Sequence, residues 1–255
     1  MKISIITVCY NSKFFISSAI DSVLSQTYPD IEYIIIDGGS KDGTVSIVDS
    51  YGDKVAHFVS ESDKGIFDAY NKGLKTATGD IIGFLNSDDF YTRDDVLSRV
   101  VDVFEDNPSL EACYADLIYV DQMDISKKKR YWKSNKFIPG LFTKGWCPPH
   151  PTFFALRSVY ARFGIFNLDY RLASDNEMMM RLLEVHKINV HYIPEVWIKM
   201  RLGGVTNKNL KNLFLQNVEI LRALRKNGLS LNLISFFFHK IILRLRQRLN
   251  RFQYE

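Results

Sequence analysis

Apolar positions along the chain alternate between two periods, and that alternation predicts the fold. Ile3 to Val8 is a short apolar run bounded by polar residues, the pattern of a strand buried on both faces. Ile16, Ala19, Ile20, Val23 and Leu24 then recur at helical spacing, after a cap at Asn11 or Ser12. Tyr33 to Ile36 predicts a second strand, and Val45 to Tyr51 the helix that follows it. Val55 to Val59, Phe67 to Thr76 and Ile81 to Leu85 continue as strand, helix and strand. Such a sequence of elements argues for an α/β fold with a mostly parallel sheet flanked by helices.

Beyond the fourth strand the pattern loosens. A helix from about Asp94 leads to strands at Ala112 to Val120 and Lys128 to Trp132. Gly145-Trp146-Cys147-Pro148-Pro149-His150-Pro151 is read as a rigid loop, because its prolines remove donors and restrict their neighbours. Glu177 to Val185 is helical and Val190 to Met200 extended. Gly203-Gly204 interrupts the pattern, and two helices follow, roughly Asn209 to Lys226 and Leu231 to Arg251.

Polar clusters close three of the predicted strands. Thr7 to Asn11 ends the first, Asp37-Gly38-Gly39-Ser40-Lys41-Asp42-Gly43-Thr44 the second, and Asn86-Ser87-Asp88-Asp89 the fourth. Open α/β sheets build their ligand crevice at that edge. Adjacent carboxylates such as Asp88 and Asp89 suit Mg²⁺ or Mn²⁺, hard cations that also bridge to substrate phosphates. Asp37 can accept hydrogen bonds from a nucleobase or ribose, and its glycines let backbone approach a ligand. Taken singly, each cluster is also an ordinary solvated turn.

Composition narrows the class. The chain has 255 residues, 46% of them hydrophobic, enough for one sizeable α/β domain with an appendage. Cys9, Cys113 and Cys147 are few, odd in number and far apart, which argues against a disulfide framework and for buried thiols in a reducing compartment. Cys147 and His150 have ligand-like spacing, but no second pair accompanies them as a zinc site needs. No signal-peptide pattern opens the chain, and no apolar run approaches the ~20 residues of a membrane-spanning helix. The expectation is therefore a protein that is neither exported by a cleaved signal nor spans a bilayer.

The net charge of +4 is unevenly spread. Between Glu219 and Glu255 lie eight lysines and arginines and no acid. On a helical projection, Ile234, Phe238, Ile241, Ile242, Leu245, Leu249 and Phe252 share one face. Lys240, Arg244, Arg248 and Arg251 gather beside it. That suits a helix lying in an anionic membrane interface, and equally a helix packed on the domain with its basic edge in water. A nucleic-acid partner is not expected, since stacking aromatics and a binding motif are both missing.

The motifs quoted above, with Gln26-Thr27-Tyr28 and Asp80 to Asp89, resemble family 2 glycosyltransferases in both order and spacing, over about Lys2 to Arg201. The resemblance implies the GT-A fold, inversion at the anomeric carbon, and a UDP- or dTDP-activated sugar with Mn²⁺ or Mg²⁺. It implies a transferase domain over 1–206, with a nucleotide-sugar half (about 1–110) and an acceptor half (111–206), followed by basic amphipathic helices (207–255). Donor-binding residues are then Thr7, Tyr10, Asn11, Asp37, Ser40, Asp63, Asp68, Lys72 and Asp88, with Asp88 and Asp89 at the metal. Many family members carry arginine where Tyr70 stands, and Lys72 is expected to supply that charge.

The segment Glu61 to Gly73 is similar to a subgroup that assembles bacterial surface polysaccharides. Asp175 resembles the general base of inverting enzymes, although an aspartate just before an apolar-periodic helix is also a common cap. A helix start favours its ionised form. Glu177 is the reserve base and an acceptor-side residue, together with Trp146, His150 and Gly204 of a closing loop. Trp146 and Phe153 are equally candidates for core. The expected setting is the cytoplasmic face of the inner membrane, with a polyprenyl-diphosphate-linked saccharide as acceptor. A sugar nucleotidyltransferase should carry a glycine-rich N-terminal loop, and Thr7 to Asn11 has none. A non-catalytic scaffold would not need Asp37, Asp88, Asp89 and Asp175 intact.

Overall fold

A computed structural model describes residues 1–203 and 210–249 of the chain. Its centre is one nine-stranded sheet in the order β3-β2-β1-β4-β8-β6-β9-β5, with β7 paired to β6. The first four strands are β1 (Ile3–Cys9), β2 (Ile31–Asp37), β3 (His57–Ser60) and β4 (Ile81–Asn86), all parallel. Their crossovers carry α1 (Ile16–Leu24), α2 (Thr44–Asp49) and α3 (Ile66–Thr76).

Side chains alternate across the sheet, so each apolar run feeds two cores. Ile6, Val8, Ile34, Ile36, Ile82 and Phe84 meet α3 on one face. Ile3, Ile5, Ile35, Ile81 and Leu85 meet α1 and α4 (Val96–Glu105) on the other. Gly83 is required within β4, because a Cβ there would overlap the Phe154 ring. Edge strand β3 is short and largely exposed, and it begins two residues later than the predicted run from Val55.

The second half completes the same sheet. Strands β5 (Phe90–Tyr91), β6 (Ala112–Val120), β7 (Lys128–Trp132), β8 (Phe154–Leu156) and β9 (Val190–Arg201) add to it, with β6 and β9 parallel and β8 antiparallel to both β4 and β6. Strand β8 and the helix after it, α5 (Arg157–Phe163), are not among the elements that the apolar pattern predicts. The helix expected over Glu177 to Val185 begins earlier, as α6 (Ser174–Met180), and widens into a π-helical turn over Arg181–Val185.

Helices α7 (Leu210–Lys226) and α8 (Leu233–Leu249) close the described chain. Ile220, Ala223, Leu224 and Phe236 enter the core that holds Ile6 and Phe84. The appendage therefore rests on the domain through one side of each helix.

Candidate active site

The C-terminal ends of β1, β2 and β4 lie side by side, with Cys9 paired to Asp37 and Val8 to Asn86. Everything that bears chemistry at this edge follows from that register.

Asp37, fully buried, organises the first cluster. Its carboxylate accepts from Gly39 N at 3.1 Å, Ser40 N at 2.8 Å, Ser60 Oγ at 2.7 Å and Cys9 Sγ at 3.4 Å, and from Ser40 Oγ. Burial alone would raise its pKa, but these donors outweigh it and hold the group below the usual carboxylate value. Asn11 sits in the left-handed region, with φ of 51°, which asparagine tolerates better than most residues. Its N–H donates to Ser40 Oγ at 2.7 Å and its Oδ1 accepts from Lys41 N at 3.0 Å, tying the two strand-end loops together.

Beside Asp37, the absence of a side chain at Gly38 leaves room for the Asp63 carboxylate and the Tyr10 ring. A Cβ there would lie 2.5 Å from Asp63 Oδ2. Tyr10 is 63% exposed and free to face a ligand. Asp68 turns instead toward its own helix start, accepting from Lys64 N at 3.0 Å. Lys72 reaches the same loop, donating to Ser62 O at 3.0 Å and pairing with Glu61 at 2.7 Å. Thr7, expected in the nucleotide pocket, is fully buried in the sheet, where its hydroxyl accepts from Tyr33 at 3.0 Å. It supports the strand and does not line the pocket.

The second cluster sits at the end of β4. Tyr70 donates to Asn86 Oδ1 at 2.7 Å, Asn86 Nδ2 donates to Asp89 Oδ2 at 2.7 Å, and Arg201 N donates to Asp89 Oδ1 at 3.2 Å. Arg201 Nη1 also donates to Asp88 O at 2.7 Å, and its guanidinium lies over Phe90, 4.6 Å from the ring centroid. Asp89 is thus 0% exposed with both oxygens engaged, while Asp88 is half-buried. Among the described residues no side chain donates to the Asp88 carboxylate. Expected at the metal, Asp89 braces the turn, and Asp88 is the aspartate left open.

Burial raises the pKa of both carboxylates, and Asp88 pushes Asp89 further up. Among the described residues the Arg201 guanidinium is the counter-charge that these two crowded acids share. The oxygen-only donor set fits a hard divalent cation, although among the described residues no cluster of three or more acids, histidines or cysteines cages one. Tyr70, at the position where an arginine is expected from the resemblance, is buried and its hydroxyl is engaged by Asn86 of this turn.

Asp175 completes the site from α6. Its Oδ1 has no hydrogen-bond partner among the described residues. Burial pushes its pKa up to about 6, opposed by the N–H of Asn176, so the group is mostly ionised at neutral pH. The Tyr70 phenol, raised chiefly by its own burial, is raised further by Asp89, Asp175 and Asp88 together. One ring from α3 thus lies within range of all three carboxylates.

The acceptor-side expectations divide. His150 stacks on Phe84 at 5.0 Å and meets Tyr70 edge-on at 5.7 Å. Burial pushes its pKa down to about 3, so it is neutral, and its Nε2 has no partner among the described residues. Trp146 is core, packed against Phe142 at 5.5 Å and Tyr114 at 6.0 Å, so it is not a sugar platform. Glu177, 4% exposed, pairs with Arg181 at 3.0 Å. Arg181 in turn donates to Ile165 O at 2.9 Å and Phe163 O, which makes Glu177 a structural anchor for that loop. Gly204 lies outside the described residues.

Neither Asn86 nor Tyr70 has a role that the sequence alone announces. The signal available for Asn86 was its position at the head of Asn86-Ser87-Asp88-Asp89.

Comparison with known proteins agrees with this geometry. The profile of Glycosyl transferase family 2 matches residues 4–163. A PGL/p-HBAD biosynthesis glycosyltransferase of Mycobacterium tuberculosis is 29% identical over 220 residues, covering 84% of this chain and 83% of the relative. Residues 1–349 of S. aureus TarS in complex with UDP-GlcNAc superimpose with a TM-score of 0.68 at 19% identity, covering 100% of this chain and 74% of that one. The chain spans 44% of the longer TarS structure. The mannosyltransferase PcManGT of Pyrobaculum calidifontis, solved with GDP-Man and Mn2+, gives 0.66 at 20% identity over 98% of this chain and 70% of its own. These superpositions establish the GT-A fold. The chain belongs to glycosyl transferase family 2 and is a glycosyltransferase.

Proposed function

We propose that this glycosyltransferase moves a hexose from a UDP-sugar to a hydroxyl of a lipid-linked saccharide at a membrane surface, inverting the anomeric centre, in assembly of a bacterial surface polysaccharide. The observation that carries the reading is that Asp88 and Asp89, just after β4, and Asp175, at the start of α6, all lie within electrostatic range of the Tyr70 ring. Asp37, with Tyr10, Asn11 and Asp63 around it, makes the pocket for the nucleoside.

Asp88, braced by Asp89, Asn86 and Tyr70, would hold a divalent metal. Mn²⁺ or Mg²⁺ bound there would supply positive charge to offset that of the departing nucleoside diphosphate. Asp175, ionised and with its Oδ1 unpartnered among the described residues, takes the proton of the attacking hydroxyl. The neutral His150 Nε2 is available as a hydrogen-bonding group for that acceptor. A single in-line displacement inverts configuration.

Nucleoside-diphosphate release from UDP-, dTDP- and GDP-sugars, with Mn²⁺ or Mg²⁺, tests this directly. Release from one donor should fall about a hundredfold or more in Asp88→Ala. Asp175→Asn should bind that donor normally yet fail to transfer. A chain that binds no nucleotide sugar at all would refute the proposal.

A further inference from the structure

Helix α8 has two unlike faces. Phe236 is fully buried in the domain core. Lys240 crosses Gly145, where a Cβ would lie 3.0 Å from the lysine Cβ, and donates to Asn217 Oδ1 of α7 at 2.6 Å. These contacts pin one side of the helix to the catalytic body. Away from them, Ile234, Phe238, Ile241, Leu245 and Leu249 are 84%, 61%, 59%, 54% and 74% exposed. Their steps of four, three, four and four residues set them in one stripe. Phe214 and Val218, which flank Asn217 in the sequence of α7, are exposed as well.

A continuous apolar stripe on an exposed helix implies an occupant. The domain's own core is excluded, because the opposite face of the same helix already fills it. No described helix is long and apolar enough to cross a membrane, so the stripe does not mark a span.

Charge selects among the remaining occupants. From Arg222 to Leu249 there is no carboxylate, while Arg225, Lys226, Lys240, Arg244 and Arg246 all fall there. Arg244 and Arg246 are exposed beside the stripe. A second copy of the chain would set these cations against their own kind. Anionic lipid headgroups would neutralise them.

We propose that α8 docks in the plane of an anionic bilayer, with its apolar stripe in the interface and Arg244 and Arg246 among the headgroups. The inference deepens the reading of a lipid-linked acceptor and rests on it for its purpose. Gly145, two residues before Cys147, packs against Lys240 of α8, and the Cys147 thiol feels the charge of both Lys240 and Asp175, so α8 lies on the Asp175 side of the site.

The test is co-sedimentation of the full chain with vesicles of phosphatidylcholine alone or mixed with phosphatidylglycerol. The chain should bind the mixed vesicles and lose about tenfold or more of that binding when salt is raised to about 0.5 M. A Phe238→Glu, Ile241→Glu, Leu245→Glu variant should lose about tenfold or more of vesicle binding. Its unfolding midpoint and its release of nucleotide with a water-soluble acceptor should stay as in the parent, since these residues are exposed and lie outside the catalytic site. Three results overturn docking: no preference for anionic vesicles, unchanged binding by the triple variant, or a lipid-free dimer that the triple variant dissolves. Vesicle binding that persists in a chain with no transferase activity supports docking and strikes only the functional reading. Transfer without vesicle binding does the reverse.

Discussion

The aspartates of the candidate site fall into two kinds with opposite surroundings. Asp37 is fully buried and saturated, with backbone, hydroxyl and thiol donors converging on it, and its pKa is held down. Asp88 and Asp175 are half-buried and poorly satisfied, and their pKa values are pushed up. Depth of burial alone would put the highest pKa on Asp37, the most buried of the three, and the observed order is the reverse. The supply of donors separates them, because an ionised carboxylate is stable in the interior only when donors or a cation replace its water. A saturated acid holds its own loop in shape, while an unsaturated one keeps an oxygen free, which is what the proposed metal and proton-accepting roles require. Asp89 falls between them, with both oxygens bonded yet crowded by Asp88.

Stability gives the sharpest break between the two groups. Asp37→Asn turns an amide NH₂ toward donors that need an acceptor, and should destabilise the fold by about 2–4 kcal/mol at neutral pH. Asp88→Asn removes a charge that the metal-free protein does not compensate, and should raise stability by about 1 kcal/mol. The pH dependence has a definite sign. With its pKa lowered by folding, Asp37 contributes stability above the unfolded value of about 4, and that contribution disappears as pH falls through the folded value. Asp88, raised by folding, works against stability once pH exceeds the unfolded value. Urea unfolding of both variants without metal, at pH 7 and pH 4, checks each sign. Equal losses in the two variants would erase the distinction.

How much of this was legible in the sequence follows the same division. Ala112 to Val120 and Lys128 to Trp132 were bounded correctly, because their own residue patterns mark their ends. Strand β8 was not visible, since three residues cannot declare a period and its pairing with β4 and β6 is set by tertiary contacts. Asp37, Asp88 and Asp175 stood out through motif position. The direction in which a side chain points did not. Glu177 is claimed by Arg181, Trp146 by Phe142 and Tyr114, and Thr7 by Tyr33; Tyr114 and Tyr33 are remote in sequence, while Arg181 and Phe142 stand four residues away, where spacing alone does not say which side chains meet. The link from Tyr70 to Asn86 joins α3 to β4, and no local pattern announces it.

The pH profile of transfer sharpens the comparison from the unsaturated side. Asp175 must be deprotonated to accept a proton, and its pKa is pushed up to about 6. The value of kcat/KM should therefore be level near neutrality and fall about tenfold per pH unit well below 6. In Asp175→Glu, with the carboxylate displaced, residual activity should keep an acid limb but move its midpoint. A flat profile between pH 5 and pH 7 would remove Asp175 from the role of base.

The smallest effect tests the bridge between the two kinds of acid. Tyr70→Phe deletes one hydroxyl, so Asn86 Oδ1 loses its donor while Asn86 Nδ2 can still reach Asp89. Tyr70 makes no proton transfer in the proposed reaction. The change should therefore act through the position of the Asn86-to-Asp89 turn, costing about 1 kcal/mol of stability. Because that turn carries the open carboxylate of Asp88, the metal concentration for half-maximal activity should rise by a few fold, about the same free energy, with kcat at saturating metal nearly kept. A drop in kcat that added metal cannot restore would instead place the Tyr70 hydroxyl among the groups that touch substrate. An unchanged metal requirement would mean that Asp89 and Arg201 hold Asp88 without help from α3.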